Sequence, residues 1–71
     1  MFHATIRSDE REPLRLCGEA SPYNLQTLRD HLLRSGVGTR VEVRLAPALH
    51  STLRRALRDL DRHGVEVIVQ G

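Results

Sequence analysis

Lysine and tryptophan are absent from this chain, and cysteine, phenylalanine and tyrosine each occur once. Each shortage removes a class of function. A lone cysteine, Cys17, cannot close an internal disulfide or supply a Cys-x-x-Cys metal or redox pair. One Phe and one Tyr are too few for an open sheet that reads RNA by stacking bases on aromatic rings. No apolar run approaches the roughly 20 residues that cross a bilayer. The opening "MFHATIRSDE" also lacks the long apolar stretch of a secretion signal. The expected setting is therefore the cytoplasm, with no membrane partner. The histidines His3, His31, His50 and His63 show no His-x-His or His-x-x-x-His spacing, so neither a metal nor another cofactor is expected. No constellation of nucleophile, base and orienting acid can be assembled from spacing, and the chain reads as non-enzymatic.

What the chain has in abundance is arginine. All eleven basic residues are Arg, set against nine acids in 71 residues for a net charge of +2. The bias fits a GC-rich coding sequence better than a selected surface. The acids are scattered among the arginines, so the pI near 9.5 overstates the basic character. A nucleic-acid footprint would need those arginines gathered on one face. The length is that of one small domain, residues 1–71, with no linker, repeat or low-complexity segment.

Apolar and polar residues alternate in "FHATIR", and again in "PLRLCG" with Leu14 and Leu16 on one side. With Ser8, Asp9 and Glu10 as turn residues between them, the two segments predict an antiparallel hairpin. In "SPYNLQTLRDHLLRSG", Ser21 suits a helix N-cap and Pro22 the first helical position. Leu25, Leu28 and Leu32 then form an apolar stripe, and Gly36 and Gly38 end the helix. "TRVEVRL" alternates with Val41, Val43 and Leu45 inward. A second helix is expected over residues 47–63, with Leu49, Leu53, Ala56, Leu57 and Leu60 as its core arc and Gly64 as its stop. "VEVIVQ" closes the order ββαβαβ, with Val65, Val67 and Val69 inward.

Alternation in all four strands carries architectural information. A parallel sheet covered on both faces reads as continuous apolar runs, whereas these strands are polar on one side. The expectation is a two-layer α/β sandwich: a four-stranded mixed sheet with both helices on one face and an open polar face. Right-handed crossovers agree if strands two, three and four run in one direction. Strand order stays open at this point, ferredoxin-like interleaving included. The open face would carry His3, Thr5, Arg7, Arg15, Cys17, Arg40, Glu42, Arg44, Glu66, Ile68 and Gln70. That is a solvated face or an interface for a homodimer or another protein. A nucleic-acid surface using Arg7, Arg15, Arg40 and Arg44 is the alternative. So small a core leaves a thin stability margin, which association would widen.

Three local features bear on chemistry. Cys17 would need a neighbouring base to act as a nucleophile, with Arg15 and His3 as its only candidate company. "SGVGTR" leads from a helix into a strand, the reverse of a phosphate-binding loop. In "LAPALHSTLRRAL", Ser51 either caps the second helix, with Leu49 as a staple, or lies on a helix that began at Pro47. The register of Leu49 with Leu53, Ala56 and Leu60 favours Pro47. Ser51 then faces Arg55, Arg58 and Arg62, where it could accept a phosphate.

Residues 12–71 resemble the STAS domain, the fold of bacterial anti-sigma-factor antagonists. "LRLCGEASPYNLQTLRDHLL" is similar to that family's second strand, Gly-Glu turn and first helix. "RVEVRL" and "LRRALRDLDRHGVEVIVQG" are similar to its third strand, second helix, glycine and fourth strand. The resemblance implies a regulatory protein-interaction module, modified on a Ser or Thr at the start of the second helix. Ser51 and Thr52 match that site by place, with Arg55 and Arg58 beside them as a partner surface. The chain departs from the pattern in four ways. His50 stands where the family has Asp, no glycine follows the Ser-Thr pair, Arg44 replaces an Asp at the end of strand three, and the strand-to-helix segment is shorter. The matched segment also stops before the helices that follow the family's fourth strand.

Overall fold

A computed structural model describes residues 1–8 and 12–71. The alternating segments form four strands: β1 (Phe2–Arg7), β2 (Leu14–Gly18), β3 (Thr39–Arg44) and β4 (Val65–Gln70). They make one sheet in the order β2-β1-β3-β4. β1 runs antiparallel to both β2 and β3, and β3 runs parallel to β4. Strands two, three and four thus share a direction, as the crossover argument requires. The strand order interposes β1 between β2 and β3. Of the expected hairpin turn, only Ser8 lies inside the described residues; Asp9 and Glu10 lie outside them.

Helix α1 (Pro22–Ser35) starts as its sequence dictates. The Ser21 hydroxyl accepts from the Asn24 backbone N–H at 3.2 Å, and Pro22 occupies the first turn. Leu25, Leu28 and Leu32 are buried along one stripe. They join Phe2, Ala4 and Ile6 of β1 and Val41 and Val43 of β3 in a single core. Both central strands alternate buried and accessible positions along their length. The helices therefore occupy one face of the sheet, and the architecture is the expected two-layer sandwich with an open face.

The second helix is a correction. Periodicity predicts one continuous helix over residues 47–63; instead a 3-10 turn (Pro47–Leu49), helix α2 (His50–Ala56) and a second 3-10 turn (Leu60–His63) follow one another. Asp59 breaks the run with φ 67°, in the left-handed region. A left-handed residue cannot continue a right-handed helix, so the run ends at Asp59. The break still leaves Leu53 and Leu60 fully buried, so the apolar periodicity survives while the helix does not. It also frees carbonyl groups at the end of α2, and Arg29 of α1 meets them. Its Nη1 donates to the Ala56 carbonyl at 3.2 Å and the Arg58 carbonyl at 2.6 Å, satisfying groups that a helix end leaves without a partner.

Gly64 completes the turn into β4 with φ 76°, and a Cβ there would lie 2.9 Å from the Val37 Cα. Its carbonyl accepts from the Gly38 N–H at 3.0 Å, pinning this turn to the one that leads into β3. Thr39, beside that pin, is buried, and among the described residues its hydroxyl has no hydrogen-bond partner. Two substitutions should move stability in opposite directions in urea titrations. Gly64→Ala should destabilise by at least about 1–2 kcal/mol, the usual cost of a left-handed residue with a Cβ, before the backbone clash is added. Thr39→Val should stabilise by about 1 kcal/mol by removing a desolvated, unpaired hydroxyl.

Candidate functional site: the open sheet face

Strand register turns the polar positions into a grid. One row across the sheet reads Cys17, His3, Arg44, Gln70; the next reads Arg15, Thr5, Glu42, Ile68; the third reads Arg7, Arg40, Glu66. Rows lie about 7 Å apart along the strands and neighbours within a row about 5 Å apart. The structure thus gathers His3, Arg7, Arg15, Arg40, Glu42, Arg44 and Ile68 on one surface, in keeping with their alternation. Of these, Glu42 and Ile68 are partly buried and the others exposed.

Glu42 sits at the centre of the cationic field. Arg40 and Arg44 flank it on its own strand, and Arg15 lies beyond Thr5 in its row. Among the described residues, Glu42 has no ion-pair partner within 4 Å, and neither do Arg7, Arg15 and Arg44. Arg40 alone of the face arginines is paired among those residues, its Nε 3.1 Å from Glu66 across the parallel strands. Both of those side chains are more than half exposed, so the pair orients the Arg40 guanidinium more than it stabilises the fold. Two shallow depressions mark the face, each of about 360 Å³. His3, Thr5, Arg15, Glu42, Arg44 and Gln70 line one. Arg7, Ser8, Arg40 and Glu66 line the other with the Gly38–Thr39 and Gly64 backbone. Alternation gives no hint that Ser8 and the two glycines belong to this surface; only the register brings them to the lower edge of the sheet.

The grid offers planar, multi-donor guanidinium groups suited to carboxylates and phosphates. It does not assemble a nucleophile. Cys17 is exposed and lies directly opposite His3 across the hairpin, yet no hydrogen bond joins them among the described residues. Phe2 is buried in the core and Tyr23 is exposed on α1, so the face carries no Phe or Tyr ring, and His3 is its one aromatic side chain among the described residues. No group of three or more His, Cys, Asp or Glu is gathered for metal binding among the described residues. No helix among them is long and apolar enough to cross a membrane.

The second candidate surface is split in two. Ser51, Thr52, Arg55 and Arg58 are all exposed. Ser51 lies in the first turn of α2, after the 3-10 turn that starts at Pro47, so it does not cap the helix. Ser51 and Arg55 share a helix face at i, i+4. Arg58 lies past the end of α2, with its Nε 4.0 Å from Asp59, and the Arg62 Nε approaches the same carboxylate at 4.0 Å. The expected stripe from Ser51 through Arg55 and Arg58 to Arg62 is therefore interrupted by the break in the helix at Asp59. His50 plays a structural part, because its Nε2–H donates to the Leu45 carbonyl at 3.1 Å and closes the link between β3 and α2.

Comparison with known proteins finds no matching family model, no matching curated protein and no matching solved structure.

The contrast within His50-Ser51-Thr52 is measurable. His50→Ala should cost about 1 kcal/mol of unfolding free energy, the net value of one partly buried hydrogen bond. Ser51→Ala and Ser51→Asp should each change it by less than about 0.5 kcal/mol, as surface substitutions do. Paired denaturant titrations of the three variants test both statements.

Proposed function

We propose that this chain is a non-enzymatic, STAS-like regulatory module that acts by associating with another protein through its open sheet face. Pairing of two copies is part of the same reading. The observation that carries it is the grid itself: Arg7, Arg15 and Arg44 without an acid within 4 Å among the described residues, arranged around a central Glu42. Mixed charge at close spacing suits a protein surface, where carboxylates meet the arginines and a cation meets Glu42. A phosphate backbone would meet Glu42 and Glu66 as repulsive charges. The succession of β2, α1, β3, α2 and β4 on the segments that resemble the STAS domain supports the family reading. The exposed Ser51 on α2 supports a place for modification, with His50 rather than Asp before it.

The second reading, a nucleic-acid-binding protein, draws on the same three arginines, which have no acid within 4 Å among the described residues. Its weakness is that the face offers a single ring, the His3 imidazole, where sheet readers of single strands stack successive bases on several. Affinity capture from native lysate compares the wild type, the face variant Arg15→Glu/Arg44→Glu and the helix variant Arg55→Glu. Protein association through the face predicts one partner held by the wild type and Arg55→Glu. The face variant should then bind it at least about tenfold more weakly, equivalent to ~1.4 kcal/mol. Equal recovery by all three would place the contact elsewhere. Binding to short labelled RNA or DNA that falls steeply between about 50 and 200 mM salt would favour the second reading.

A further inference from the structure

β4 is an outer strand of the sheet, and no strand pairs with its free side among the described residues. Hydrogen bonding shows which of its backbone groups point outward. The Gly64 carbonyl accepts from Gly38 and the Gln70 carbonyl from Leu45, so the even-numbered positions of β4 face β3. By alternation, the N–H and C=O groups of Val67 and Val69 face away from the sheet.

The side chains along this edge are underburied. Val41 and Val43 of β3 are fully covered, whereas Val67 and Val69 beside them are partly exposed. Ile68 is partly exposed on the opposite face. The strand VEVIVQ has no proline, no basic residue and one acid. Natural edge strands are usually blunted by Lys, Pro, a bulge or shortness. β2, the other outer strand, has such devices: Pro13 precedes it, and Arg15 stands within its five residues. β4 has one charged side chain, Glu66, and neither proline nor basic residue.

We propose that two copies of this chain pair antiparallel through β4, about a twofold axis at Ile68, to form one continuous eight-stranded sheet. Backbone parity and charge select this register. Outward-facing residues must meet each other, and with Ile68 on the axis Val67 of each copy lies opposite Val69 of the other. Each such pair exchanges both backbone hydrogen bonds. Ile68 meets its own counterpart at the closer, non-hydrogen-bonded spacing, and Glu66 meets Gln70, whose amide donates to a carboxylate. No like charges stand opposite one another. A twofold centred on Val67 would bring the two Glu66 side chains diagonal to each other and leave each beside an isoleucine. A slip by one residue would turn apolar side chains to the wrong faces. The axis stands perpendicular to the sheet, so both helical layers lie on one side and both open faces on the other. This pairing rests on the association reading and moves its two-copy contact from the middle of the open face to the β4 edge, where Ile68 still borders that face; the Arg15→Glu/Arg44→Glu variant separates the two contacts.

Sedimentation equilibrium and amide hydrogen exchange followed by NMR test the proposal on the whole chain. The wild type should sediment at twice its 8.1 kDa chain mass. Its Val67 and Val69 amides should gain protection as concentration rises. Ile68→Lys, which changes the open face and leaves the core untouched, should sediment as a monomer with those amides exchanging freely. Arg15→Glu/Arg44→Glu should remain dimeric. A wild type that stays monomeric at every accessible concentration overturns the proposal. So does a dimer whose Val67 and Val69 amides exchange freely, or an Ile68→Lys variant that still dimerises. If Ile68→Lys fails to fold, amide protection in the wild type decides alone.

Discussion

The whole structure depends on one apolar layer closed from one side. Leu28, Leu32, Leu53 and Leu60 press onto Val41, Val43 and Val65 with essentially no exposure. The lone cysteine rules out a disulfide staple, and Phe2 is the only aromatic ring in the core. Burial of aliphatic side chains is therefore the main favourable term, and it acts through close packing. Every other feature of the fold serves that layer. The Ser21 cap orients α1 over the sheet, the Arg29 bonds secure the end of α2, and the Gly64 turn brings β4 back alongside β3.

Much of this was legible because strand alternation is a direct imprint of one-sided burial. Phe2, Ala4 and Ile6 in β1 and Val41 and Val43 in β3 reach the core in the positions their period requires. The helix cap at Ser21–Pro22 and the glycine at 64 were equally readable, as each residue type has a local steric or hydrogen-bonding reason to be there. The break at Asp59 was not. Leu53, Leu57 and Leu60 keep helical spacing across it, and the left-handed residue is an aspartate, which gives a weaker signal than glycine. The apolar period runs on through the break, so no local window of hydrophobic spacing marks it.

The candidate site divides in the same way. Which strand side chains belong to the open face follows from alternation, whereas the places of Ser8, Gly38 and Gly64 at its lower edge do not. Which of them are neighbours depends on β1 lying between β2 and β3, and several sheets are compatible with the same alternation. Only that order puts Arg15, Thr5, Glu42 and Ile68 in one row and places Glu42 among arginines from three strands. Strand order thus converts a scattered, nearly balanced composition into a surface with a defined charge pattern.

The central position of β1 also has a kinetic side. Its pairing with β2 spans a short stretch of chain, but its pairing with β3 joins Ile6 to Val41 and Ala4 to Val43. Loop closure over that span must be accomplished before the contact rewards it. Folding of this chain should be gated by two non-local pairings that share β3, with β1 on one side and β4 on the other, and until β3 is in place the valine-bearing strands have no layer to join.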